Sequence, residues 1–263
     1  MRRNPKTPVP IRVTRSVIPS LFTSMNLFCG FFAIVKATHE EYMAAAWLIV
    51  MAAIFDALDG AMARLTNSSS EFGVELDSLA DVVSFGTAPA FILYMAFFHQ
   101  WETVGVIIAS APAIAGALRL ARFNVQLVGF DKDYFRGLPI PAAALALISY
   151  LVYYHLPEQS PVPVAWRPWA IAAITLGVSL LMVSSIRYDT LPRPSRRSIR
   201  RNPIKFVGLL AAVVLAVATR GSAIFPLMSL YLLFGIGRQI LGRMRTGEDD
   251  RTMEEPETTP FDV

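Results

Sequence analysis

Four aspartates, Asp56, Asp59, Asp77 and Asp81, stand in a chain that is otherwise strongly apolar. Asp56 and Asp59 are three residues apart and Asp77 and Asp81 four, so on helices each pair shares one face. A charged side chain at the centre of a membrane helix costs roughly 2.5–3.5 kcal/mol on insertion scales, so four of them in one short stretch need a reason. Converging carboxylates repel one another and stay ionised only when cations neutralise them. Hard oxygen donors favour Mg²⁺, Mn²⁺ or Ca²⁺ over softer metals. No His or Cys falls between Phe55 and Gly86 to point to zinc. The expectation is a site for one or two divalent metals, an arrangement that suits phosphoryl chemistry.

The neighbouring residues fit that chemistry. Gly60 and Gly73 leave the backbone open on the same helices, and Ala63 is small, so a bulky ligand can approach. Arg64 lies one turn beyond Gly60, where a guanidinium can hold a phosphate through two parallel hydrogen bonds. Ser70 can add a hydroxyl near the start of the next helix. Each feature has a blander reading: a membrane Asp can partner an Arg, and small residues four apart often serve helix packing. Four acids, two glycines and an arginine in one pattern favour a site. A divalent-cation carrier would also place acids in a membrane, but along the whole depth of a pore. Here both pairs fall at one depth.

The elements that must hold these residues are membrane helices. Of 263 residues, 54% are hydrophobic and 17% charged, against about 25% charged in an ordinary soluble protein; the mean hydropathy is +0.47. Eight apolar segments approach the roughly 20 residues needed to cross a bilayer: 17–37, 43–64, 72–98, 104–124, 138–156, 168–187, 205–220 and 222–242. The fold expected is all-α, a polytopic integral membrane protein of about eight transmembrane helices. With the N-terminus cytoplasmic, the inner connections hold 21 of the 24 Lys and Arg, the bias of the positive-inside rule. That orientation puts both termini in the cytoplasm of a cell with the protein in its inner membrane. It also puts the aspartates near the inner surface.

The expected organisation is a basic N-terminal segment (1–16), a six-helix catalytic membrane domain (17–190), a basic loop (191–204), a C-terminal transmembrane hairpin (205–242) and an acidic, disordered tail (243–263). No short apolar stretch with a small-residue cleavage site marks a removable signal peptide. The net charge of +4 comes from basic residues gathered at the ends of apolar segments, where anionic lipid headgroups meet them, so nucleic acid is not an expected partner. The single cysteine, Cys29, lies in an apolar run and reads as a buried thiol. His39, His99 and His155 fall in outer connections and are given no catalytic part.

The pattern Asp56-x₂-Asp59-Gly60-x₂-Ala63-Arg64-x₈-Gly73-x₃-Asp77-x₃-Asp81 resembles, without a departure, the signature of the CDP-alcohol phosphatidyltransferase family. Members move a phosphatidyl or similar group from a CDP-linked lipid to an acceptor hydroxyl and release CMP. The resemblance implies a helical core whose polar cavity opens to the cytoplasm, with all four aspartates binding divalent metal, Mg²⁺ or Mn²⁺. It implies that Gly60, Ala63, Arg64, Ser70 and Gly73 meet the CDP-lipid and that Asp81 doubles as general base. It also implies a homodimer.

The signature does not name the acceptor, and other stretches narrow it. "IPSLFTSMNLFCGFFAI" (18–34), "ALRLARFN" (117–124), "FRGLPIPAAA" (135–144) and "LMVSSIRY" (181–188) together resemble the branch of the family that uses L-serine with CDP-diacylglycerol. That resemblance covers about residues 16–190. Thr23 and Asn26, three apart on the first span, face either the polar cavity, as CDP-lipid contacts, or a neighbouring helix. Arg119 and Arg122, beside Asn124, suit the carboxylate of a serine acceptor. Glycerol 3-phosphate or an inositol phosphate would also want cations there, so charge alone does not choose. Gly137, Pro139 and Pro141 read as shaping a loop into the fifth span.

Overall fold

A computed structural model describes residues 17–66, 71–127, 137–186, 188 and 203–253, and among them every regular element is a helix. In lipid a backbone must satisfy its own polar groups, and a chain of apolar runs does so as helices. Among the described residues, five helices are long and apolar enough to cross a membrane, at Ser20–Thr38, Tyr42–Ala63, Phe72–Ala96, Phe98–Val125 and Val164–Val183. Three shorter apolar helices, Ile140–His155, Val207–Ala218 and Ile224–Gln239, occupy the remaining expected segments. The chain is a polytopic, all-helical membrane protein with two compact units, Met1–Ala113 and Ile114–Val263.

In the first unit, α1 (Val17–Thr38) and α2 (Tyr42–Thr66) pack along each other. Their facing residues are small, with Ala33, Ala37, Ala45, Ala46 and Ala52 buried around Ile49, so the backbones can approach closely. The turn between them is pinned by a Lys36–Glu41 ion pair at 2.7 Å. Next, α3 (Glu71–Asp81) runs through a π-helical turn (Val82–Thr87) into α4 (Ala88–Ala96). Pro89 lies in the first turn of α4. Its ring has no N–H to give and would crowd the carbonyl four residues back. The widened turn absorbs this: the Ala88 N–H bonds to the Val83 carbonyl, and the Thr87 hydroxyl reaches the Val82 carbonyl at 3.1 Å. Helix α1 packs on α2, α3, the π turn and α4 alike. It is the hub of this unit.

The second unit begins within α5 (Glu102–Leu127) and continues with α6 (Ile140–Tyr150), which ends in a second π turn (Leu151–His155) ahead of Pro157. Then come α7 (Arg167–Val183), α8 (Pro203–Ala218) and α9 (Ile224–Met253). The Arg167 guanidinium collects the carbonyls of His155, Glu158 and Val162 and so closes the connection into α7. A turn with Arg220 at φ 53° and Gly221 at φ 97° joins α8 to α9. Where a C-terminal hairpin was expected, the tight turn is present, but α9 packs against α6 rather than along α8. Tyr153 and Tyr154 of the second π turn donate their hydroxyls to the carbonyls of Arg220 and Ser222, the latter at 3.0 Å. Helix α9 continues past residue 242 to Met253, into the stretch read from composition as a tail. Cys29 is buried, as expected, and His155 is buried at the end of α6 rather than lying in a connection.

Candidate metal centre

Helical periodicity brings the two acidic pairs together within the first unit. Asp56 and Asp59 face inward from the latter half of α2, and Asp77 and Asp81 from α3. One carboxylate oxygen from each of Asp56, Asp77 and Asp81 lies within 4.8 Å of the other two. Asp59 stands beside this trio, its Oδ2 accepting the Thr23 hydroxyl at 2.5 Å. Asp81 accepts at Oδ1 from the Asn26 side-chain amide at 3.1 Å. Asp59 and Asp81 are buried, and Asp56 and Asp77 half-buried.

The arrangement is electrostatically incomplete as protein alone. Two like charges about 4.8 Å apart repel by roughly 3 kcal/mol at an effective dielectric near 20. The Oδ1 atoms of Asp59 and Asp77 are buried with no hydrogen-bond partner among the described residues. Leaving such an acceptor unmet costs roughly 1–3 kcal/mol, more when it is charged. A hard divalent cation reverses the sign of the repulsion and takes the free lone pairs, so the donor set fits one.

The first span supplies both side chains that steady the acids. Thr23 and Asn26, one turn apart on α1, reach Asp59 on α2 and Asp81 on α3 respectively. Of the two expectations for them, cavity or neighbouring helix, the contacts here are to the neighbouring helices. Ser84, in the π turn, was not singled out from the sequence; its hydroxyl donates to the Asn26 main-chain carbonyl at 2.9 Å. The signal available was a serine within the apolar run "VVSFG" one turn from Asp81.

Gly60 and Ala63 are half-buried on α2 and Gly73 half-buried on α3. Arg64 belongs to α2, but its side chain lies outside the described residues, as does Ser70 altogether. Arg119, Arg122 and Asn124 sit near the end of α5, in the second unit. Arg119 is buried, Asn124 half-buried and Arg122 exposed, with Arg122 Nη1 donating to the Val183 carbonyl at 3.0 Å. Gly137 joins them: its N–H bonds to the Ile186 carbonyl at 2.8 Å, and that of Leu138 to the Leu181 carbonyl at 3.0 Å. Three of the four stretches that carry the serine-branch resemblance therefore meet in one junction.

Spanning helices that turn a trio of carboxylates toward one point define an integral-membrane protein suited to holding a divalent cation. The chain belongs to the CDP-alcohol phosphatidyltransferase family, whose family model matches residues 16–183, the stretch from α1 to α7 that includes every aspartate of the centre. Members of this family generally use a divalent metal, and the aspartate cluster agrees. Three curated relatives place the match more finely. A CDP-diacylglycerol--serine O-phosphatidyltransferase of Helicobacter pylori (strain J99) is 37% identical over 85% of this chain and 91% of its own length. One of the same name from Methanocaldococcus jannaschii is 37% identical over 86% of this chain and 95% of its own. An archaetidylserine synthase of Methanothermobacter thermautotrophicus is 37% identical over 65% of this chain and 69% of its own.

Proposed function

We propose that this protein transfers the phosphatidyl group of CDP-diacylglycerol to the hydroxyl of L-serine, yielding phosphatidylserine and CMP. The observation that carries the reading is the convergence of Asp56, Asp77 and Asp81 oxygens within 4.8 Å, in a chain whose relatives across most of its length bear the name of that activity.

In this reading Asp56, Asp59, Asp77 and Asp81 hold the metal, Mg²⁺ or Mn²⁺. When bound, the cation offsets the charge of the donor's diphosphate and of departing CMP. Arg64 pairs with a phosphate of the donor, and Ser70 adds a hydroxyl to it. Gly60, Ala63 and Gly73 leave room for the nucleotide against the helix backbones. Serine's hydroxyl is a weak nucleophile until a base takes its proton, and Asp81 is that base. The new bond joins the serine oxygen to the lipid-bearing phosphorus, the bond from that phosphorus to the CMP oxygen breaks, and the proton passes to Asp81. Arg119, Arg122 and Asn124 receive the acceptor's carboxylate.

The same reading places the protein in the inner membrane as a homodimer with eight crossings, both termini cytoplasmic and the polar cavity opening inward. The distribution of Lys and Arg supports that orientation.

The test is an acceptor panel. Purified protein in detergent receives CDP-diacylglycerol, Mg²⁺ or Mn²⁺, and in turn L-serine, glycerol 3-phosphate or an inositol phosphate. CMP release that depends on serine is expected. No release with serine but release with glycerol 3-phosphate overturns the choice of acceptor, and metal uptake into liposomes without any CDP-lipid dependence overturns the reaction class.

A further inference from the structure

We infer that Asn26 is a positioning residue for Asp81 rather than a contact of the CDP-lipid, and that α1 works as a clamp holding one carboxylate of each acidic pair. The inference rests on the functional reading above and deepens it. Asn26 is 0% exposed and Thr23 2% exposed, so neither side chain offers surface to a lipid substrate. Each gives its hydrogen bond to an aspartate on a different helix, Thr23 to Asp59 and Asn26 to Asp81.

The orientation of the Asn26 amide is set by its partner. Turned the other way, its carbonyl would face a carboxylate oxygen and repel it. With Nδ2 on Asp81, the Asn26 Oδ1 is left buried with no hydrogen-bond partner among the described residues. A residue kept only to join helices would have both ends of its amide satisfied. Here one end is left unmet so that the other can fix Asp81.

Two further contacts seat α1 on the π turn. The Ser84 hydroxyl holds the main-chain carbonyl of Asn26 at 2.9 Å. One turn along α1, Gly30 admits the backbone of Ser84 where a side chain would not fit. The amide's bond to Oδ1 fixes how the Asp81 carboxylate is turned toward Asp56 and Asp77. Side chains that hydrogen-bond metal-holding carboxylates act in this way, and losing one commonly costs about 10–100-fold in metal affinity or activity.

The experiment compares Asn26→Leu, which keeps size but removes the donor, with Ser84→Ala, which loosens the same helix junction but leaves the amide on Asp81. Mn²⁺ binding to the purified protein, without any lipid or serine, is measured beside melting temperature, kcat and the KM for CDP-diacylglycerol. In Asn26→Leu, Mn²⁺ affinity and kcat are expected to fall about 10–100-fold, with the KM for CDP-diacylglycerol within about threefold of wild type. Ser84→Ala is expected to lower the melting temperature but keep Mn²⁺ affinity. Should Asn26→Leu not fold, Asn26→Ala carries the same comparison, removing the donor without adding a charge or a metal ligand.

Wild-type Mn²⁺ affinity and kcat in the Asn26 variant overturn the inference, as does a raised KM for CDP-diacylglycerol with kcat unchanged. The metal titration needs no acceptor, so it reads the clamp even where the wild-type protein proves not to use serine. That second result would sink the functional reading alone.

Discussion

Gly30 and Ser84 are packed so closely that a methyl group on Gly30 would lie 2.6 Å from the Ser84 Cα. Because Ser84 is fully buried in the π turn, its backbone has nowhere to move. Overpacking of this kind costs roughly 1–3 kcal/mol. Gly30→Ala is therefore expected to lower the melting temperature in detergent and to reduce CMP release, since Asn26 lies one turn away on the same helix. A variant that melts with the wild type would show that α1 is not seated on the π turn as described.

The carboxylate trio gives a prediction about metal removal. Stripped of divalent ions by a chelator, the protein should melt lower, and Mn²⁺ at about 100 times its dissociation constant should restore roughly 2.7 kcal/mol. Asp77→Asn removes one of three mutually repelling charges and one ligand. Without metal it should melt no lower than the wild type, and it should lose most of the Mn²⁺-dependent rise. Melting curves taken with and without Mn²⁺ on both proteins check this. An undiminished rise in Asp77→Asn would place the metal elsewhere.

Asp81 carries the base assignment. Asp81→Asn keeps the shape, removes the proton acceptor and is expected to abolish serine-dependent CMP release, with CDP-diacylglycerol binding largely retained. Equilibrium binding of the CDP-lipid beside a turnover assay separates the two effects. Substantial activity in Asp81→Asn would remove the base from this position.

The aspartate centre was legible in the sequence because its information is local: spacings of three and four residues place Asp56 with Asp59, and Asp77 with Asp81, on one face each, whatever surrounds them. The eight helical segments were legible from hydropathy for a similar reason. Less was visible wherever the outcome depends on which helices meet. Thr23 and Asn26 read equally well as cavity residues or helix contacts until α1 was seen against both α2 and α3. The π turn at Val82–Thr87 follows from Pro89 only once α4 is known to continue α3 without a break. The packing of α9 on α6 was hidden because in lipid an apolar face carries no mark of its partner. The clue to it was the pair Tyr153 and Tyr154, whose hydroxyls needed acceptors and found them in the turn at Arg220–Ser222.

Arg122 tests the acceptor side, and its contact with Val183 makes the test sharper than charge removal alone. One guanidinium nitrogen holds the Val183 carbonyl, so Arg122→Ala would remove a structural tie as well as a cation. Gly137 offers the comparison. Its φ of +87° lies in the left-handed region, and a Cβ there would run into the Met182 carbonyl, so Gly137→Ala strains the same junction while leaving the arginine in place. Arg122→Ala is expected to raise the KM for serine about 10–100-fold, the range of losing a hydrogen-bonded charge partner, with the KM for CDP-diacylglycerol little changed. Gly137→Ala should lower the melting temperature but keep the serine KM of the folded enzyme within about threefold. If both variants raise the serine KM alike, Arg122 acts through the junction, and the acceptor's carboxylate is held by other residues.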